Sequence, residues 1–302
     1  MRSSQILQLV LHAVLRLLYR YEVRGLEHAK LIRPGEKVLV VVNHISFLDG
    51  ALLLAAMPRV PVFAINTEMA NRWWLKPFWG IANLYPLNPT NPLAVKELVK
   101  KINAGQPCVI FPEGRISVTG ALMKIYAGPA YLADRTQATI VPVRLDGPEL
   151  TPFSRLKPDQ VRPHWFPKIV ITVCPPRRLE IDPGLRGKQR RAVANLQLYE
   201  IMSEMVFRTT DWGETLFGAL LRARSRHGWS FSVLEDTSGV HLSYTKLVAG
   251  AMVLGRRMAA ETRPGERVGV LDVVGVLAED PHGAGVVAGA EDEGAGVGEV
   301  AR

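Results

Sequence analysis

The sequence predicts an α/β fold, with a central, mostly parallel or mixed sheet flanked by helices. Val38–Val42 is an unbroken run of branched apolar residues, the pattern of a strand buried on both faces. From Lys37 to Phe207, strand-like and helix-like stretches alternate, as they must when helices cover both sides of one sheet. The hydrophobic share is 48% over 302 residues, enough for a sizeable core.

At the N-terminus, Gln5, Gln8, His12 and Arg16 recur at helical spacing and form a polar stripe. Ile6, Leu9, Val10, Ala13, Val14, Leu17 and Leu18 fill the remaining surface. Residues 1–20 therefore read as an amphipathic helix, too interrupted for a cleavable signal peptide or for a span of about 30 Å of hydrocarbon. Such a helix either lies in a membrane interface or packs on the domain core, and the pattern leaves both open.

Beyond the Val38–Val42 strand come a helix at Leu48–Met57, a strand at Val60–Ile65 and an amphipathic helix at Asn91–Asn103. Cys108–Phe111, Thr139–Leu145 and Lys168–Cys174 read as further strands. Helices are expected around Pro129–Asp134 and over Lys188–Phe207, the first opening on Gly128-Pro129, since proline suits a first turn. Between them, Met69–Ile81 holds Arg72, Trp73, Trp74, Lys76, Phe78 and Trp79, a mixture that suits a lipid headgroup boundary or an ordinary packed helix.

Residues 21–207 thus form the main domain. Residues 208–271 change texture: Ser230–Leu271 reads as strand, turn, long helix (Ser243–Thr262) and strand (Arg267–Leu271), a unit without partners for its own faces. Residues 272–302 turn to Gly, Ala, Val and acids, with no lysine or aromatic, and are expected to be disordered. The abrupt change after Leu271 suggests translation in a shifted reading frame, with a natural acidic tail as the alternative.

The formal charge is +9 overall, and the first 271 residues carry +15 because the tail holds seven acids against Arg302. A basic body suits an anionic membrane surface or an acidic soluble partner such as a carrier protein. No Lys/Arg cluster is interleaved with stacking aromatics, so nucleic acid is not an expected partner. Cys108 and Cys174 sit in apolar, strand-like runs and read as buried free thiols of a reducing compartment.

Two short segments carry chemistry. His44 directly follows the Val38–Val42 strand, at the sheet edge where α/β ligands usually sit. Ser46 and Asp49 make a capping-box-like S-x-x-D, which brings the Asp49 carboxylate back toward the chain before the helix. A carboxylate on one imidazole nitrogen fixes the tautomer and frees the other to accept a proton. The same pattern also fits a plain helix cap beside an incidental histidine. The second segment, Phe111-Pro112-Glu113-Gly114-Arg115, again follows an apolar strand. Glycine lets backbone approach a ligand, Arg115 offers a donor fork suited to phosphate, and Glu113 either orients Arg115 or shapes the site.

Asn43-His44-x4-Asp49, Phe111-Pro112-Glu113-Gly114 some seventy residues later and Val141-Pro142-Val143 together resemble the lysophospholipid and glycerol-phosphate acyltransferase family over residues 20–205. The resemblance implies His44 and Asp49 as the catalytic pair, with Glu113, Gly114 and Arg115 at the acceptor. The match looks closer to the acyltransferase half of the bifunctional 2-acylglycerophosphoethanolamine acyltransferase/acyl-carrier-protein synthetases. It rests there on Arg115-Ile116, Thr119-Gly120, Leu122–Tyr126 and Phe153–Lys157. Two departures from the family pattern bear on the acceptor. Arg115 stands where the family has threonine and Ile116 where it has arginine, and Leu84–Thr90 lacks the usual arginine. Both argue against a standard lysophosphatidate acceptor.

The resemblance implies direct transfer of an acyl group from acyl carrier protein or acyl-CoA to a lysophospholipid hydroxyl. No metal, cofactor or Ser/Cys nucleophile is required. 2-Acylglycerophosphoethanolamine is the expected acceptor and 1-acylglycerol-3-phosphate the alternative. It further implies a bacterial enzyme held peripherally or monotopically at the cytoplasmic face of the inner (plasma) membrane. Leu242–Leu247 and Pro264–Leu271 look like the start of an adenylate-forming ligase domain without its phosphate-binding loop. A ligase fragment and a non-catalytic membrane-binding module are the rival readings.

Overall fold

The computed structural model describes residues 3–30, 33, 35–57, 60–70, 82–87, 91–158, 160–211, 213–235, 239, 241–263 and 266. The aromatic stretch 71–81, the strand expected at Arg267–Leu271 and the tail 272–302 lie outside them. The chain divides into units Met1–Met252 and Val253–Arg302.

In the first unit, seven strands form one sheet in the order β1-β7-β6-β2-β5-β3-β4. They are β1 (Glu22–Arg24), β2 (Val38–Val42), β3 (Val62–Asn66), β4 (Leu84–Leu87), β5 (Cys108–Ile110), β6 (Thr139–Asp146) and β7 (Val170–Val173). β2 through β6 are mutually parallel; β7 runs antiparallel to β6, and β1 is parallel to β7. The sheet is mixed and mostly parallel, as the sequence predicts. Its centre is β2, whose five residues are all buried, each side chain worth about 1.5–3 kcal/mol.

Helices cover both faces. On one lie α1 (Ser3–Tyr19) and α3 (Asp49–Ala56), with Leu15, Tyr19, Leu52 and Leu53 in the core. On the other, α5 (Pro92–Asn103), α6 (Ala127–Thr136) and α7 (Gly187–Thr209) contribute Leu98, Ile102, Leu132, Leu198 and Met202. Short helices α2 (Leu26–Lys30) and α4 (Thr67–Ala70) complete this part. Asn91 caps α5 by accepting from Leu93 N, with proline next in line, so that helix starts where its chemistry dictates. β3 begins at Val62 rather than Val60 because Pro61 has no N–H, and the first ladder bond runs from Val62 N to Pro107 O. β1 and β4 are short edge strands that the pattern did not reveal; Pro86 inside β4 is tolerated at an edge.

α1 is built the opposite way round from a simple amphipathic reading. Part of its polar stripe faces the domain: Gln8 Nε2 donates to Met57 O, and His12 Nδ1 lies 2.5 Å from Tyr21 OH. Leu15 and Tyr19 are buried, while Leu9, Val10, Val14 and Leu17 are exposed.

After α7 come α8 (Leu216–His227), the hairpin β8 (Ser232–Glu235) with β9 (His241–Ser243), and α9 (Tyr244–Glu261). α8 buries none of its residues, and Leu216 and Leu234 are exposed. In α9, Tyr244 and Val248 are buried; α8 itself was not foreseen.

Candidate active site

Parallel strands β2 and β5 end at the same edge of the sheet, and the two segments singled out from sequence follow them directly. Asn43 extends β2 with its side chain: Oδ1 accepts from Leu145 N at 2.8 Å and Nδ2 donates to Leu145 O at 3.0 Å. This pairing with β6 fixes the point where the chain turns, and therefore the position of His44.

His44 Nδ1 lies 2.8 Å from Asp49 Oδ2. The same oxygen accepts from Ile45 N at 2.7 Å and Ser46 N at 3.0 Å, so three donors converge on it. Asp49 is fully buried, and its Oδ1 has no hydrogen-bond partner among the described residues. Burial pushes the Asp49 carboxyl above the ordinary range, and the donors hold it back. The expected capping box forms only in part. Asp49 reaches back to Ser46 N, but Ser46 Oγ turns to Leu48 N at 3.2 Å and α3 starts at Asp49, without a side-chain cap.

His44 keeps 20% of its side chain exposed, and Nε2 has no protein partner among the described residues. Phe111 packs its ring against the imidazole, a contact that sequence reasoning missed because nothing local links the two residues.

Glu113 is buried, and its carboxylate bridges two loops: Oε1 accepts from His44 N and Oε2 from Met123 N, both at 3.0 Å. Both oxygens are taken by backbone donors, and no ion pair joins Glu113 to Arg115 among the described residues. Burial raises the Glu113 carboxyl; the two amide donors and His44 lower it, and Asp49 adds to the rise. Ser117 N donates to His44 O at 2.7 Å, a second tie between the same loops. Ser117 Oγ organises the turn by accepting from Thr119 N and Gly120 N. Gly114 has φ +64°, and a Cβ there would stand 3.2 Å from the Tyr126 ring, so glycine answers both conformation and space.

Arg115 is exposed and makes no hydrogen bond or ion pair among the described residues. Ile116, in the place of the family's arginine, is buried. A second cation stands beside the loop that carries His44: the Arg155 guanidinium lies 5.5 Å from the centre of the Phe47 ring. The segment Phe153–Lys157 was noted in the sequence, but not that Phe47 N would donate to Phe153 O and draw it to this edge. Cys108 lies at the opposite end of β5, and burial pushes its thiol up to about 12, which removes it as a nucleophile.

Arranged this way, the site can take a proton at Nε2 and stabilise the resulting imidazolium against a buried carboxylate. Residues 20–146 match the family described as Acyltransferase. A 1-acyl-sn-glycerol-3-phosphate acyltransferase from Cocos nucifera is 29% identical over 123 residues, 38% of this chain and 39% of the relative. One from Limnanthes alba is 26% identical over 156 residues, 49% of this chain and 54% of the relative. The chain thus spans about half or less of the length of these relatives. The crystal structure of the 1-acyl-sn-glycerophosphate (LPA) acyltransferase PlsC from Thermotoga maritima shares the fold. Its TM-score is 0.50 at 20% identity, over 69% of this chain and 81% of that one. The matched residues 20–146 run from just before β1 through the end of β6 and so include the loops that carry His44, Asp49 and Glu113.

Proposed function

We propose that this protein transfers a fatty acyl group from an acyl thioester to the free hydroxyl of a lysophospholipid at a membrane surface. One observation carries the reading: a buried Asp49 holds His44 Nδ1, while the imidazole stays 20% exposed and Nε2 has no protein partner among the described residues. Nε2 accepts the hydroxyl proton as that oxygen attacks the thioester carbonyl carbon, a contribution of about 10²–10⁴ in rate. The imidazolium forms beside Asp49, where its charge offsets a carboxylate already removed from water, so the pair binds the transition state better than the ground state. Collapse breaks the C–S bond, and the imidazolium returns its proton to the departing thiolate. The products are the new ester and the free thiol.

The acceptor we favour is 2-acylglycerophosphoethanolamine. Exposed Arg115 and buried Ile116 support it, because the cation that the family places at Ile116 is displaced here to a neighbouring, solvent-facing position. 1-Acylglycerol-3-phosphate is the second reading, favoured by what the curated relatives are named for. Acyl carrier protein or acyl-CoA supplies the thioester, and the cytoplasmic face of the inner (plasma) membrane is the proposed place of work. Residues 208–271 we take as the opening of an adenylate-forming domain, from the likeness of Leu242–Leu247 and Pro264–Leu271 to such ligases.

The test crosses both donors with both acceptors, using wild-type protein, His44→Ala and Arg115→Ala. The expected result is transfer that His44→Ala abolishes, with Arg115→Ala raising KM for the acceptor far more than for the donor. Retention of a tenth of wild-type turnover by His44→Ala would remove the general-base role. A donor-selective defect in Arg115→Ala would move that residue to the thioester side.

A further inference from the structure

The turn after β6 ties together the two loops that hold His44 and Glu113. Gly147 follows the last residue of β6 at φ +102°, and a Cβ there would stand 2.2 Å from Lys168 O, so glycine alone suits this turn. Thr151 is buried just beyond it, with Oγ1 3.4 Å from Ser46 Oγ. Phe153 O accepts from Phe47 N at 3.1 Å, and Ser154 pairs with Ser46 in an isolated antiparallel bridge. Leu156 reaches the other loop: a Cβ at Gly120 would stand 3.4 Å from its Cδ1. Gln160 Nε2 donates to Val118 O at 3.0 Å on that same loop. Residues 151–156 and Gln160 therefore bridge the two loops, and Arg155 sits between the points of attachment. The bridge lies beyond Asp146, where the family match ends.

We propose that Arg155 is a specificity-determining residue of the acceptor site: together with Arg115 from the Glu113 loop, it binds the phosphate of the incoming lysophospholipid. The proposal rests on the lysophospholipid-acceptor reading above and adds a residue from a segment which that reading does not use.

Three observations select an oxyanion as its ligand. Arg155 is exposed and makes no hydrogen bond or ion pair among the described residues. The Phe47 ring, three residues on from His44, lies 5.5 Å from the guanidinium, so the ring positions the cation while its N–H edge stays available to oxygen. The carboxylates of the two loops are committed elsewhere. Asp49 and Glu113 are both buried; Asp49 Oδ2 holds His44 Nδ1, and backbone N–H groups take both Glu113 oxygens. Two exposed guanidinium groups thus stand on the segments around His44, and a planar donor fork matches phosphate better than a point charge does.

The test measures equilibrium binding to the full chain by titration calorimetry, for wild type, Arg155→Ala and Arg155→Lys. The probes are short-chain 2-acylglycerophosphoethanolamine and 1-acylglycerol-3-phosphate, the phosphate-free monoacylglycerol of the same chain, and free CoA for the donor side. Arg155→Ala is expected to weaken both lysophospholipids about tenfold, as loss of a charge-assisted hydrogen bond does. Arg155→Lys should recover part of that loss. Monoacylglycerol and CoA should bind the variants as they bind wild type, and the thermal midpoint should not move. Arg191→Ala, exposed on α7, is the control and should match wild type. Equal affinity of Arg155→Ala and wild type for the lysophospholipids would overturn the proposal. An equal loss toward monoacylglycerol would overturn it too, because Arg155 would then serve the packing of Phe47. So would a loss confined to CoA, which moves the residue to the donor side. Binding is read without turnover. A wild type that binds phosphate through Arg155 yet transfers no acyl group would defeat the functional reading and leave this one standing.

Discussion

Phe111 lies nearly flat against His44, with ring centroids 4.1 Å apart and planes inclined by 22°. The hydrogen bond to Asp49 fixes one end of the imidazole, and the phenyl ring limits how far it can tilt. An aromatic face also attracts a cation, so the contact strengthens when the imidazole gains its proton. Phe111→Leu is expected to lower kcat about 3- to 30-fold with KM for the acceptor little changed, and Phe111→Tyr to retain most of the rate. Steady-state kinetics on the three proteins check this. Equal rates in the Leu and Tyr variants would reduce Phe111 to a space-filler.

Asp49→Asn should separate activity from stability. The amide oxygen can still accept from Ile45 N and Ser46 N, but no charge remains to support the imidazolium. Turnover is expected to fall by about 10²–10⁴. The fold should be no less stable than wild type at pH 8, because a charge that burial disfavours has been removed. Parallel turnover and urea-unfolding measurements decide it; a large loss of stability would mean that Asp49 serves the fold before it serves the reaction.

Much of this was legible in the sequence, and the reason is local. β2, β5 and β6 are short apolar runs, α5 carries its own cap, and His44 and Asp49 are five residues apart on one turn. What escaped depends on contacts that no window of sequence contains. Asn43 pairs with Leu145, 102 residues away, and Glu113 ties His44 to Met123 across 69 and 10 residues. The N-terminal stripe was visible, but not its direction. Gln8 and His12 find partners inside the domain, and a polar side chain that is satisfied there has no need of water.

The two sides of α1 should answer differently to mutation. Leu15→Ala, which empties a buried site, is expected to cost about 2–5 kcal/mol. Leu17→Ser, on the exposed side, should stay within about 0.5 kcal/mol of wild type. Urea unfolding of both variants measures the contrast, and similar losses would place Leu17 against the core.

Glu149 offers a pH-dependent test away from the reaction. Burial raises its carboxyl, and Asp146 adds to the rise; Gly147 N donates to Oε2 at 2.7 Å, and Arg226 is 4.0 Å away. A group raised in the folded state contributes stability that is complete below its unfolded pKa and is lost as pH rises through the folded one. Glu149→Gln keeps an acceptor for Gly147 N and cannot ionise. Its stability relative to wild type should therefore increase from pH 4 to pH 8. Unfolding curves at several pH values follow the difference, and a difference independent of pH would show that Glu149 titrates alike in both states.

The pairing of β1 with β7 sets an order of events during synthesis. Glu22 finds its neighbour in Val170, so the strand that follows α1 has no partner until roughly 150 more residues have been made. At about 5–20 residues per second, that is a delay on the order of ten seconds. Throughout it, α1 and β1 wait without the strand that will join them to the sheet. The β1 edge of the sheet therefore closes last, after β2, β5 and β6 have already brought the loops of His44 and Glu113 together.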